Sequence, residues 1–331
     1  MVSAGDNKVA TAFHEAFREA LQAQGGSVYS GQDVAGLSDV PADAPLLATL
    51  RLLSGAVIEL SGGDEPTTQT TTRRRFLAQS CFKPLTFAMA LEHGLADQVA
   101  LAVASVGDAP FGTFALSSDG RALNPLINSG ALCVLELLSR STTVDEVGAW
   151  CRSLGGASTA GSSSSSSSHP IFDPRAVAAT EADSLRNRGL CCQLASAGVI
   201  PKTEDAVDRA VRYYSAMDCM LTDTNDLAGV AAAFADGGSS ADLAATTRTA
   251  TLSAMLHSGM YEASGSWAAT VGLPAKSGVG GAVWVVLPGI GGLCAQQPRI
   301  DSAGNSVQAM ELVRGLVSRL PELNVFHGGK I

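Results

Sequence analysis

Two short segments narrow the folds open to this chain of 331 residues: Ser80-Cys81-Phe82-Lys83, and far downstream Lys276-Ser277-Gly278 at the head of the apolar run Val279 to Leu287. A serine hydroxyl is a poor nucleophile at neutral pH, and a lysine one helical turn away, kept neutral by a second cation, is one way of deprotonating it. For that chemistry both segments must meet in one site, although most of the chain lies between them. Residues three apart share a helix face, so Ser80 and Lys83 can touch if a helix starts at or just after Ser80. A lysine titrates near about 10.4, and a base working near neutrality needs that value lowered by about 2 to 3, roughly 3 to 4 kcal/mol. Lys276 and burial are the candidate sources. The bland alternative stands beside this one: Ser80 caps a helix and Lys83 is solvated. Lysine occurs only at Lys8, Lys83, Lys202, Lys276 and Lys330, and two of these fall in the paired motifs.

With 46% hydrophobic residues the chain can bury a large core in one or two lobes. A formal charge of -9 argues against nucleic acid or an anionic membrane as partner. Arg73-Arg74-Arg75 is the only basic run and reads as a solvated strand edge or turn. Asp6 and Glu15 stand near the N-terminus with no apolar signal core, and no stretch approaches about 18 consecutive apolar residues. The expected location is the cytoplasm, without a membrane span. The seven cysteines read as free thiols in a reducing compartment, with Cys191-Cys192 in the core. There is no C-x-x-C pair or H-x-x-x-H face, and no G-x-G-x-x-G in residues 278–292, so neither metal nor nucleotide cofactor is expected. Cys81, beside the candidate nucleophile, stays open as an alternative nucleophile.

Helical spacing runs from Val9 to Ala23. Leu46 to Leu53 and Ala56 to Leu60, joined at Ser54-Gly55, predict a hairpin. Pro84 to His93 predicts a buried helix closed by Gly94. Pro84 disfavours helical geometry at Lys83 unless it falls in the first turn. Asn128-Ser129 is expected to cap residues 130–138, and Thr143 with Glu146 fits a capping box. Residues 155–168 form a glycine and serine stretch, read as a surface insertion without chemistry. Further helices are expected over 205–217, 226–235 and 244–257, a buried strand over 282–287 and a closing helix over 306–320. The fold class is mixed α/β: an α/β lobe from about 1–95 and 245–331, with a helical lobe from about 96–244 inserted, forming a single catalytic unit.

The segments FLAQSCFK (76–83), VGDAPFGTF (106–114), NPLINSGA (124–131), RNR (186–188), DLAGVAAAFADGG (226–238), GMYEASG (259–265), VGLPAKSGVGG (271–281) and GNSV (304–307) occur in one order over roughly residues 31–326. Together they resemble the serine-dependent glutaminases, whose fold is that of β-lactamases and transpeptidases, an antiparallel sheet lobe flanked by helices. The resemblance implies hydrolysis of L-glutamine to L-glutamate and ammonia through a seryl ester, and a homodimer or homotetramer. It implies Ser80 as nucleophile, Lys83 as base with Lys276 in support, and Tyr261 in substrate binding and proton transfer. Tyr214 is implied as a second binding tyrosine, Asn128, Glu181 and Asn187 as holders of the amino acid head group, and the Val279 N–H as a donor to the substrate carbonyl. A zwitterion suits a carboxylate and neutral amide donors. The spacing from Glu181 to Asn187 is one residue shorter than is usual in that family, which on a helix turns the two side chains by about 100° relative to each other unless a loop absorbs the change. Two other readings stay open: a glutamine-binding relative without turnover, and a penicillin-binding or β-lactamase-like hydrolase. The latter needs an S-x-N or Y-x-N element that the sequence lacks.

Overall fold

A computed structural model describes residues 4–29, 40–62, 74–107, 109–155, 170–236 and 243–327. The described residues run α1 (Ala4–Ala20), β1 (Ser27–Val28), β2 (Leu47–Leu52), β3 (Val57–Ser61), β4 (Phe76–Leu77), α2 (Lys83–Glu92), α3 (Ala96–Ala102), α4 (Asn128–Leu138), α5 (Val144–Leu154) and α6 (Pro174–Ala182). They continue through α7 (Leu185–Ser196), α8 (Glu204–Asp218), β5 (Leu221–Thr222), α9 (Thr224–Ala235), α10 (Ala245–Ser258), α11 (Ser264–Thr270), β6 (Ala275–Gly278), β7 (Ala282–Leu287), β8 (Gly291–Gln296), β9 (Arg299–Ile300) and α12 (Val307–Arg319). Short 3₁₀ turns cover Gln79–Phe82, Tyr261–Ala263 and Pro321–Leu323. The glycine and serine stretch lies, apart from Gly155, outside the described residues.

An antiparallel sheet in the order β3-β2-β8-β7-β6 joins the N-terminal hairpin to the C-terminal strands. Side chains alternate across a strand, and β7 is buried on both faces for that reason. Trp284 and Val286 pack with Phe234 and Leu227 of α9, whereas Val283, Val285 and Leu287 pack with Phe13 and Phe17 of α1 and Leu312, Val313 and Leu316 of α12. A run without polar alternation is what such a strand requires. Helices α2, α4, α5, α7 and α8 share the core on the α9 side of the sheet, and β4 pairs with β5 to tie residues 76–77 to 221–222.

Most expected elements lie where their periodicity placed them, and the capping box at Thr143 and Glu146 is present in full. One cap differs. Ile127 is the N-cap of α4 and Asn128 its first residue, while the Asn124 Oδ1 accepts the N–H groups of Leu126 and Ile127 at 3.0 and 3.1 Å. The Asn128 amide is committed elsewhere, as described below. Pro84 sits in the first turn of α2, where its missing N–H has no helical acceptor to lose, and Lys83 keeps helical angles (φ -57, ψ -43). The strand β8, GGLCAQ, has little β-propensity. Its glycines let α9 approach: a Cβ on Gly292 would stand 2.2 Å from the Ala228 oxygen and 2.3 Å from the Ala232 nitrogen. Gly292→Val is therefore expected to cost about 3 kcal/mol by overpacking, read as a drop of several degrees in Tm; an unchanged melting curve would contradict this packing.

Candidate active site

Ser80 lies in the 3₁₀ turn Gln79–Phe82, reached through Gln79 at φ 44. Positive φ at a residue other than glycine is strained and persists only where neighbours hold it. Here β4 with β5 grips one side, and the Trp284 Nε1 donates to the Cys81 oxygen at 3.2 Å from the other. β6 approaches so closely that a Cβ on Gly278 would lie 3.0 Å from the Cys81 Sγ and 3.1 Å from the Ala78 oxygen. The Lys-Ser-Gly segment is thereby pressed against the serine turn, as the paired motifs demand.

Ser80 is 6% exposed, and Lys83 and Lys276 are both fully buried. The Lys83 Nζ donates to the Asn128 Oδ1 at 2.6 Å, and the same oxygen accepts the Tyr214 hydroxyl at 2.9 Å. The Asn128 Nδ2 donates to the Asn187 Oδ1 at 3.1 Å. On the other flank the Lys276 Nζ donates to the carbonyls of Ser277 (2.7 Å) and Gly259 (3.2 Å) and stands 4.2 Å from the Tyr261 ring centroid. Tyr261, at φ 54, donates its hydroxyl to the Ser277 oxygen at 2.7 Å. Both phenol groups lie near the Ser80 side chain. Two amines, two phenols and one serine hydroxyl thus share a nearly dry chamber.

Burial disfavours charge on each amine. It lowers Lys276 to about 7, and burial first, then the Lys276 cation, hold Lys83 well below the ordinary lysine range. Asp218, on the last turn of α8, acts against that on Lys83 and is itself raised by burial to about 6. Burial also raises the Tyr214 and Tyr261 phenols, which stay protonated donors at neutral pH. Cys81 is pushed up to about 12 by burial, with its Sγ 3.7 Å from the Ala282 oxygen. Fully buried and raised in this way, the thiol is disfavoured as a thiolate, whereas Ser80 keeps some exposure. All seven cysteines are free, and only Cys192 is exposed.

The expected residues Ser80, Lys83, Asn128, Asn187, Tyr214, Tyr261 and Lys276 come together in this way. Val279 heads the turn that follows Gly278, with its Cγ1 3.4 Å from where a Gly304 Cβ would be. Glu181 differs: it is exposed, near the end of α6. Asp183 and Ser184 separate α6 from α7, which carries Asn187, so a break between two helices lies where the shortened spacing called for one. Three neighbours were missed. Tyr29, just after β1, stacks edge-on with Phe111 (6.4 Å), and Phe111 stacks with Tyr261 (5.5 Å). Asp218 follows Tyr214 by one helical turn, a spacing that could have marked it; nothing local in the sequence marks Tyr29.

A profile of the Glutaminase family matches residues 40–326. A glutaminase of Corynebacterium glutamicum is 33% identical over 285 residues, covering 82% of this chain and 63% of that protein. This chain therefore spans less than two thirds of that relative. A glutaminase of Escherichia coli O81 is 30% identical over 333 residues, covering 97% of this chain and 99% of that one. The solved structure of the probable glutaminase YbaS superposes with a TM-score of 0.80 at 26% identity, over 97% of this chain and 99% of that one. The fold is thus the β-lactamase-like fold of these proteins.

Lys276 also ties stability to pH. Unfolded, it keeps its proton up to about 10.5; folded, it releases it near 7. Across that window the unfolded chain binds more protons, so stability rises with pH. Lys276→Met is expected to flatten the rise of Tm between about pH 7 and 10, leaving the share due to Lys83; melting curves of both proteins at matched pH check this, and equal slopes would refute it.

Proposed function

This chain belongs to the glutaminase family, and on that premise we propose that it hydrolyses L-glutamine to L-glutamate and ammonia, with Ser80 as nucleophile and Lys83 as its base. The observation that carries the reading is the pair of fully buried amines, Lys83 and Lys276, flanking a nearly buried serine. Burial first, and then the Lys276 cation, disfavour the proton on Lys83 and push it toward the neutral form a base needs. It takes the Ser80 proton as the oxygen attacks the side-chain amide carbon. The N–H groups of Ser80 and Val279 receive the developing oxyanion, a service worth about 3 kcal/mol per donor in comparable sites. The C–N bond then breaks, and the proton held by Lys83 passes to the leaving ammonia, with Tyr261 as the relay beside it. Water, deprotonated by the same amine, adds to the seryl ester carbonyl; the ester C–O bond breaks, the proton on Lys83 returns to the Ser80 oxygen, and glutamate leaves.

Asn128 and Asn187 offer amide groups to the substrate's α-carboxylate, and Tyr214 closes the same side through its bond to Asn128. Glu181 is the carboxylate this reading assigns to the α-ammonium, opposite charge being the recognition element. No cofactor enters this chemistry. The free thiols suit a reducing compartment, and we assign the protein to the cytoplasm, as a homodimer or homotetramer. Among the described residues no helix is long and apolar enough to cross a membrane.

The decisive experiment follows ammonia release from L-glutamine by the wild type and by Ser80→Ala, with thermal melting as a control for folding. Activity is expected in the first and a loss of at least about a thousandfold in the second. A wild type that gains Tm with glutamine but releases no ammonia would make this a binding relative. A second prediction concerns Asp218, whose carboxylate favours the protonated form of Lys83. Asp218→Asn is expected to move the acid limb of the kcat/KM profile to lower pH. A limb that stays in place or moves up would show that Asp218 does not act on the base.

A further inference from the structure

The 279–281 turn between β6 and β7 carries the proposed Val279 donor, and its conformation is held from β8. Gly281 has φ +86, and a Cβ there would stand 2.0 Å from the Gln297 oxygen, so the turn lies directly on that strand's end. The Gln297 N–H donates to the Gly281 oxygen at 3.0 Å, and the Gly281 N–H to the Gly278 oxygen at 2.9 Å. One side chain completes the hold. The Gln296 Nε2 donates to the Gly280 oxygen at 2.9 Å, and the residue is fully buried at the end of β8.

The other end of that amide meets Arg74. The Arg74 Nη2 donates to the Gln296 Oε1, and also to the Pro45 oxygen at 2.9 Å and the Gln296 main-chain oxygen at 3.4 Å. A guanidinium has donors only, so it selects the oxygen of the amide and leaves the Nε2 to face Gly280. A charged donor on the oxygen also polarises the amide and strengthens its N–H groups as donors. Arg74, read from sequence as a member of a solvated basic run, is half-buried instead, and its buried Nε has no partner. A partly desolvated cation bonded to a glutamine and to carbonyls is a costly arrangement to keep for stability alone.

We propose that Gln296, oriented by Arg74, is a positioning residue that holds the 279–281 turn and so aims the Val279 N–H at the substrate carbonyl. This rests on the glutaminase reading and on Val279 as an oxyanion donor. The role belongs to the donor Nε2, which makes Gln296→Glu informative. Glutamate keeps the acceptor for Arg74 and gains an ion pair, but its carboxylate cannot donate to the Gly280 oxygen and repels it.

The test compares wild type, Gln296→Glu, Arg74→Met and Arg74→Lys in ammonia release, melting and amide hydrogen exchange of residues 279–281. For Gln296→Glu we expect kcat to fall about tenfold or more, a part of the loss seen when an oxyanion donor is deleted. KM should stay within about twofold, because the lost stabilisation belongs to the transition state. Tm should not fall, and exchange in the turn should quicken. Arg74→Met is expected to lower kcat in the same direction, and Arg74→Lys, which keeps a donor for the amide oxygen, to recover part of that loss. Wild-type kcat and exchange in Gln296→Glu would overturn the proposal. A wild type without ammonia release would instead sink the glutaminase reading, and the exchange comparison would then decide the role of Gln296 alone: unchanged rates would overturn it.

Discussion

The close seam between β6 and the Gln79–Phe82 turn is the constraint on which the rest of the molecule depends. It brings residues 80 and 276 into one chamber, and it exists because Gly278 has no side chain to hold the two backbones apart. Everything that positions the chamber bears on this seam. The five-stranded sheet carries β6 at its edge, the pairing of β4 with β5 anchors the approach to Ser80, and the Trp284 indole reaches across from the neighbouring strand. These contacts hold the strained φ at Gln79, and the strained Tyr261 is tied to β6 by its hydroxyl, which donates to the Ser277 oxygen. Such strain is tolerable only inside a large, well-packed core.

The seam also creates the electrostatics. Two lysines withdrawn from water in a chain of net charge -9 cannot both hold their protons comfortably. Their hydrogen bonds go to carbonyls and an asparagine oxygen rather than to carboxylates, so the environment satisfies the amines without favouring their charge as an ion pair would. Asp218 acts against this on Lys83 from the last turn of α8. Desolvation, more than any single partner, therefore lowers both amines. Burial has the opposite effect on Cys81, whose thiol it pushes up, disfavouring the thiolate beside Ser80.

Much of this was legible from residues alone. The amphipathic spacing of α1, α8 and α12, the hairpin at Gly55 and the capping box at Thr143 are local signals, and local signals survive folding because neighbouring backbone groups satisfy them. The strand β8 was not legible: its glycines carry no strand preference and matter only because α9 lies against them. Asn128 looked like a helix cap because its alternative partners, Lys83 and Tyr214, are remote in sequence. Arg74 looked solvated for the same reason, since Gln296 and Pro45 lie far from it along the chain.

The sequence by itself determined the chemistry on offer: a serine three residues from a lysine, a second lysine ahead of a buried strand, and amides and tyrosines in segments that resemble one family. It also determined most helices, because their periodicity is a property of consecutive residues. The tertiary structure alone decided which groups face each other, which amines lose water, and which oxygen of Asn128 serves two donors. It also decided that Cys81 is fully buried, that Glu181 stands at the surface and that Tyr29 packs on Phe111 beside Tyr261. Desolvation and hydrogen bonding between distant residues depend on three-dimensional neighbours, and no window of the sequence contains them.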